Sequence, residues 1–163
     1  MDIIKLNVSD ISSISSLANK VWPVAYGEIL SDEQLYYMLN AFYSSDSLKE
    51  QMQKGHLFYG VKESNELLAF IAVETDFPIL KTTKIHKLYV LPNQQGKQLG
   101  KKLILFVSQL ALKLGQNKLL LNVNRFNSAK EFYSKLGFII TKEEDIEIGQ
   151  GYLMEDYVME KKL

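Results

Sequence analysis

From Leu88 to Lys102 the chain reads Leu-Tyr-Val-Leu-Pro-Asn-Gln-Gln-Gly-Lys-Gln-Leu-Gly-Lys-Lys: an apolar run, a proline, a turn with glycine, then the start of a long amphipathic stretch. A strand that enters a helix through such a turn can hold an anion. The first N–H groups of a helix lack intrahelical partners, and the helix dipole places partial positive charge there, so a pyrophosphate can be bound by backbone alone. Gly96 and Gly100 would let the chain approach the ligand, Gln95, Gln98 and Leu99 would complete the turn, and Lys97, Lys101 and Lys102 would add charge. An ordinary strand-to-helix turn with a solvated lysine face uses the same residues, and the glycines alone do not separate the two readings.

A second block runs from Asn124 to Phe138: Asn-Arg-Phe-Asn-Ser-Ala-Lys-Glu-Phe-Tyr-Ser-Lys-Leu-Gly-Phe. Together the blocks resemble the signatures of the GNAT superfamily of N-acyltransferases. Gln95-x-x-Gln98-x-Gly100 is similar to the acetyl-CoA pyrophosphate motif of that family, Arg/Gln-x-x-Gly-x-Gly/Ala, which follows a strand of the form Leu-Tyr-Val-x-Pro. Ala129, Tyr133, Gly137 and Phe138 match the spacing of the second motif, Asn-x-x-Ala-x-x-x-Tyr-x-x-x-Gly-Phe. Two departures stand out. Gln98 occupies the place of the first motif glycine, and Asn127 lies one residue closer to the alanine than the pattern asks.

The resemblance implies an N-acetyltransferase that passes the acetyl group of acetyl-CoA to the amine of a small molecule or peptide, by direct attack in a ternary complex. It places the pantetheine arm along the backbone of Leu88, Tyr89 and Val90, the pyrophosphate over residues 95–101, and Asn127 and Lys130 beside the cofactor. It also puts a proton-donating tyrosine at Tyr133. A phenol with pKa near 10 can protonate a leaving thiolate whose conjugate acid has a pKa of about 8.5. For the base, relatives use a glutamate on the strand before the phosphate turn; here that place, two residues before Leu88, is His86, with Glu74 as the other candidate. Trp22 and Tyr26, near Glu28, Asp32 and Glu33, would hold a cationic acceptor by cation–π contact and ion pairing. Each residue also has a plain structural role available: buried strand for 88–90, core for Tyr133, helix cap for Asn127, corner packing for Trp22 and Tyr26. A second reading of the whole is a catalytically inactive CoA-binding regulatory or assembly module. Gln98 favours it; the retained Asn127, Gly100 and Tyr133 count against it.

The elements that must position these residues follow from periodicity. The expected fold is α/β, a mostly antiparallel twisted sheet with one central parallel strand pair, in a single domain spanning 1–163. A first strand covers 3–8, and a helix capped by Ser9 or Asp10 stops at Pro23. Ser31-Asp32-Glu33-Gln34 opens a second helix, and a short third one reaches about Lys54. Strands at 57–62, 67–75 and 84–91 follow in antiparallel series. A helix from Gln98 to Gly115 then leads to a strand at 118–124, a crossover that makes 84–91 and 118–124 parallel. A short helix capped by Asn127 or Ser128, and strands at 138–141 and 153–159 around the acidic loop Glu143-Glu144-Asp145, complete the chain.

Composition excludes several classes. Lys+Arg and Asp+Glu both number 19, so the net charge gives no steering toward nucleic acid or an anionic membrane. There is no cysteine, hence no disulfide, thiolate ligand or cysteine nucleophile. His56 and His86 are scattered in sequence and make no metal cluster. No export signal or membrane span is read, so a cytoplasmic protein is expected, with homodimerisation left open.

Overall fold

A computed structural model describes residues 1–163. Seven strands, β1 (Ile3–Leu6), β2 (Leu57–Glu63), β3 (Glu66–Glu74), β4 (Thr82–Val90), β5 (Lys118–Asn124), β6 (Ile139–Glu147) and β7 (Leu153–Lys162), form one sheet in the order β1-β2-β3-β4-β5-β7-β6. All neighbours are antiparallel except β4 and β5. Helices α1 (Ile11–Tyr26), α2 (Asp32–Tyr43), α3 (Ser45–Gln53), α4 (Leu99–Lys113) and α5 (Ala129–Lys135) cover it. The mixed sheet with one parallel pair is therefore as the sequence implies.

The sheet is clad on both faces beside the site. Tyr89 meets Trp22 and Tyr26 of α1, whereas the next residue, Val90, lies against Gly100 of α4. Successive strand residues point to opposite faces, so α1 and α4 pack on opposite sides. This explains why Leu67–Val73 is buried at every position: β3 has no solvent face. On α4, Leu99, Leu103, Ile104, Val107 and Ala111 form the buried stripe. Fully burying one such leucine contributes about 1.5–3 kcal/mol, and the stripe holds the helix N-terminus fixed against the end of β4.

Two boundaries and the bonding of one cap differ from expectation. Pro23 lies inside α1, which continues to Tyr26, where Gly27 donates back to the Pro23 carbonyl. Proline removes one N–H, and one missing bond a turn before the helix end does not stop a helix whose apolar face is already packed. Asp10 is the N-cap residue of α1, as expected, but its side chain makes no bond to that helix; it closes a preceding 3-10 turn (Val8–Asp10), where Asn7 accepts from Ser9 N–H and Asp10 Oδ2 accepts from Asn7 N–H at 2.9 Å, with Lys62 Nζ 2.6 Å from the other Asp10 oxygen. The acidic run 143–145 is not a loop. It belongs to β6, which pairs with β7 from Ile139 to Glu147, and Arg125 bridges Asp145 at 2.7 Å.

Candidate active site

The register at the sheet centre creates the site. β4 and β5 pair only over Thr82–Ile85 and Lys118–Leu121; beyond that the strands part while β4 runs on to Val90. The β5-facing backbone groups of residues 86–90 are thereby left without a partner strand, and such groups need donors and acceptors from elsewhere. A cavity of about 640 Å³ occupies the gap. Leu88, Tyr89 and Val90 line it on one side, Leu121, Asn122 and Val123 on the other. Tyr26 closes it from α1, and Asn127, Phe132 and Tyr133 from the α5 region.

At one end the cavity reaches the turn before α4, where Gln95, Gly96, Gln98, Leu99, Gly100 and Lys101 line it. The backbone N–H groups of residues 96–101 find no backbone acceptor; the first to do so is Lys102, which donates to the Gln98 carbonyl. Six consecutive free donors at a helix N-terminus make an anion cradle. Gln98 accounts for the motif departure. It is the N-cap of α4 with φ +64° and ψ +19°, the left-handed region that glycine adopts freely and glutamine at a cost of about 1 kcal/mol. Gln98→Gly is therefore expected to leave CoA binding intact and raise stability by up to about 1 kcal/mol, read from thermal denaturation with and without CoA. Loss of binding would make the glutamine itself a ligand.

His86 and Tyr133, expected to handle protons, both line this cavity. β4 carries a bulge: Val73 pairs with Ile85 and Ala72 with Lys87, which leaves His86 as the extra residue. The bulge brings His86 Nε2 to 2.9 Å from Glu74 Oε1, and His86 is among the residues that line the cavity. With Nε2 taken by the carboxylate, Nδ1 is the ring nitrogen without a protein hydrogen-bond partner. The same Glu74 oxygen lies 3.2 Å from His56 Nε2, and the two imidazoles stack at 4.2 Å and 6°. The expectation of two scattered histidines is thus corrected: a hairpin and a bulge join residues 30 positions apart. Burial, then the neighbouring charges of His56, Lys84 and Lys87, push the His86 pKa down to about 3, so its ring is neutral at working pH.

Tyr133 packs edge-on to Phe132 and Phe138, and its hydroxyl has no protein partner. Burial, then the neighbouring Tyr26, raise its pKa above the usual 10, so the phenol stays protonated. Tyr26 and Tyr89 share a hydroxyl contact at 3.2 Å on the α1 side. Asn127 Oδ1 accepts from Ala129 N–H at 2.9 Å, the cap expected of it, while its side chain remains at the cavity wall.

Several expected residues lie elsewhere. Lys97 reaches back to Gln94 Oε1 at 2.8 Å, and Lys130 donates to the Arg125 carbonyl at 3.2 Å and sits over Tyr157; neither lines the cavity. Trp22 is core, 4% exposed and packed on Tyr26, Tyr43 and Tyr89, because the uninterrupted α1 turns it inward. Glu74 stands one hydrogen bond behind the wall, through His86. Sequence reasoning missed three neighbours: His56; Asn122, which holds the buried Asp156 at 3.2 Å; and Lys87. The Lys87 ammonium lies over Tyr43 at 4.8 Å with no carboxylate partner, and burial lowers its pKa to about 8.

A splayed parallel pair, a strand with free backbone and an anion cradle at the following helix define a protein that binds an acyl-CoA between its central strands. Residues 28–161 match the Acetyltransferase (GNAT) domain, and the chain belongs to that family: it is an acetyl-CoA-dependent N-acetyltransferase. It is 29% identical over 168 residues to a spermidine N(1)-acetyltransferase of Thermoplasma acidophilum, covering 99% of this chain and 97% of that protein. The crystal structure of PaiA N-acetyltransferase from the same organism, in complex with coenzyme A, superposes with a TM-score of 0.83 at 28% identity, over 99% and 98% of the two chains. A GCN5-related N-acetyltransferase of Rhodopseudomonas palustris shares the fold at a TM-score of 0.84 and 19% identity, over 99% and 95%. The cosubstrate is acetyl-CoA.

Proposed function

We propose that the chain acetylates an aliphatic di- or polyamine, with Tyr133 as the acid and His86, oriented by Glu74, as the base. The observation that carries the cofactor assignment is the run of free N–H donors over residues 96–101, opening into the same cavity as Tyr133 and His86. Acetyl-CoA supplies the acetyl thioester. Backbone of Leu88, Tyr89 and Val90 binds the pantetheine amides, and Gln95 to Lys101 hold the pyrophosphate, with Asn127 beside the arm.

At neutral pH a primary amine with pKa near 10.4 is mostly protonated and cannot attack. The neutral fraction of the amine attacks; bonding to the acetyl carbon makes its nitrogen acidic, and His86 Nδ1 relays that proton on to solvent and does not store it, as the low pKa of the ring requires. Tyr133 hands its own to the departing sulfur and is reprotonated from solvent, so no net charge accumulates in the cavity.

The amine class rests on two supports. The relative named above acts on spermidine, and carboxylates stand one hydrogen bond behind the wall on both sides of the gap: Glu74 behind His86, and Asp156 behind Asn122. No carboxylate lines the cavity itself, so the attraction is long-range and the reacting amine is not trapped in an ion pair. The cytoplasmic setting expected above suits this substrate class, and the scheme, whose residues all lie on one chain, requires no homodimer. Release of free CoA thiol across a panel of spermidine, diaminobutane, amino acids and peptides tests the reading: turnover on the polyamines is expected, and turnover confined to peptides would overturn it.

A further inference from the structure

We infer that His56, Glu74 and His86 form a binding site for a divalent transition-metal ion of the Zn²⁺ type, and that its occupation switches off proton transfer at His86. Nothing in the acetyl-transfer scheme requires His56. Its ring does not line the cavity, yet it stacks on His86 and aims Nε2 at the same Glu74 oxygen. The two imidazole nitrogens and a carboxylate oxygen all lie within 4.8 Å of one another, with nitrogen-to-oxygen separations of 2.9 and 3.2 Å. A four-coordinate ion about 2.0–2.1 Å from each ligand sets neighbouring ligand atoms about 3.3 Å apart. The group is therefore at ligand spacing, and a small movement admits an ion.

Two features define which ion. The rings are nearly parallel, so their lone pairs converge only when one ring turns about χ2, a broad terminal torsion that costs little. Lys84 and Lys87 are neighbours whose charge opposes any cation, though each ammonium faces an aromatic ring, Phe77 and Tyr43 respectively. Against that repulsion only an ion with strong affinity for imidazole is held, which selects Zn²⁺, Co²⁺ or Cu²⁺ over Mg²⁺ and Ca²⁺. All three side chains are 15–22% exposed, which leaves a path from solvent.

The switch follows from the tautomer and rests on the reading of His86 as base. Without metal, the Glu74 carboxylate can only accept, so His86 donates Nε2–H to it and keeps a lone pair on Nδ1 for the substrate. An ion bound at Nε2 needs the lone pair there, and the ring proton moves to Nδ1. Nδ1, the nitrogen the proton-transfer scheme uses, then carries a hydrogen and can no longer take one from the amine. The open fourth position of the ion would hold water.

The test uses the untagged, metal-free full chain and Zn²⁺ or Co²⁺ alone. Calorimetry is expected to give one Zn²⁺ per chain, with Co²⁺ producing the visible absorption of a four-coordinate site. His56→Gln keeps a donor for Glu74 but offers no imidazole. It is expected to bind at least about 100-fold more weakly, beyond the 10- to 100-fold lost with an outer-shell partner. In the amine assay, Zn²⁺ is expected to inhibit the wild type reversibly on chelation, while His56→Gln turns over normally and resists. Absence of Zn²⁺ binding to the wild type, or equal binding by His56→Gln, would overturn the site. Binding through His56 without inhibition would overturn the switch, and with it the role of His86 as base. Because binding is read without turnover, a wrong acceptor is a separable failure.

Discussion

Tyr133→Phe is expected to bind CoA as the wild type does and to turn over about 10²- to 10⁴-fold more slowly, the range for loss of a general acid. The ring keeps its edge contacts with Phe132 and Phe138, so packing is preserved. The hydroxyl makes no protein hydrogen bond, so its removal strands no buried partner and should leave stability nearly unchanged. A residue kept only for packing would show the reverse pattern. The pH dependence carries a sign. Burial raises the phenol above its usual 10, so the donor stays loaded through pH 10, and no alkaline loss of rate from this group is expected below that. The checks are single-turnover rates and calorimetric CoA affinity measured together. A wild-type rate in Tyr133→Phe would assign the proton of the leaving thiol to water or another residue.

How far the site was legible depends on which physical rule placed each residue. The phosphate turn, the parallel crossover and the Tyr133 helix are local: each is set by a few residues of turn, cap or periodicity, and each lies where sequence puts it. The departures are tertiary. The missing N–H of Pro23 predicts a stop, but packing of α1 outweighs one bond. The charge of the run 143–145 predicts a solvated loop. It is strand nonetheless, because β6 is the edge of the sheet: residues 139–145 are exposed in all but one place, and Arg125 offsets the charge. His56 was within reach of the sequence. The β2–β3 hairpin pairs Leu57 with Val73, and one further step along that register sets His56 beside Glu74. His86 was not within reach, because its approach to Glu74 requires the bulge between Ala72 and Val73, and nothing in the alternation of β4 marks it.

Gly100→Asp tests the cofactor site at its most constrained point and is expected to weaken CoA binding by at least about 30-fold. Gly100 is the second residue of α4, among the free N–H donors, and a Cβ built there meets Phe132 Cζ at 3.2 Å and Val90 Cγ2 at 3.8 Å. The pocket therefore leaves little room for a side chain except toward the phosphate. Two like charges 4 Å apart at an effective dielectric near 20 repel by about 4 kcal/mol, and half of that already corresponds to about 30-fold in affinity. Folding is expected to move the other way, since an acid in the first helical turn stabilises it by about 0.3–1 kcal/mol. Weaker binding would thus not report a damaged protein. Gly100→Ala separates the causes: it keeps the steric demand on Phe132 without the charge, and a loss as large as that of the aspartate would assign the effect to crowding. Unchanged calorimetric affinity in Gly100→Asp would place the pyrophosphate away from residues 95–101, and the free donors of the turn would then need another anion.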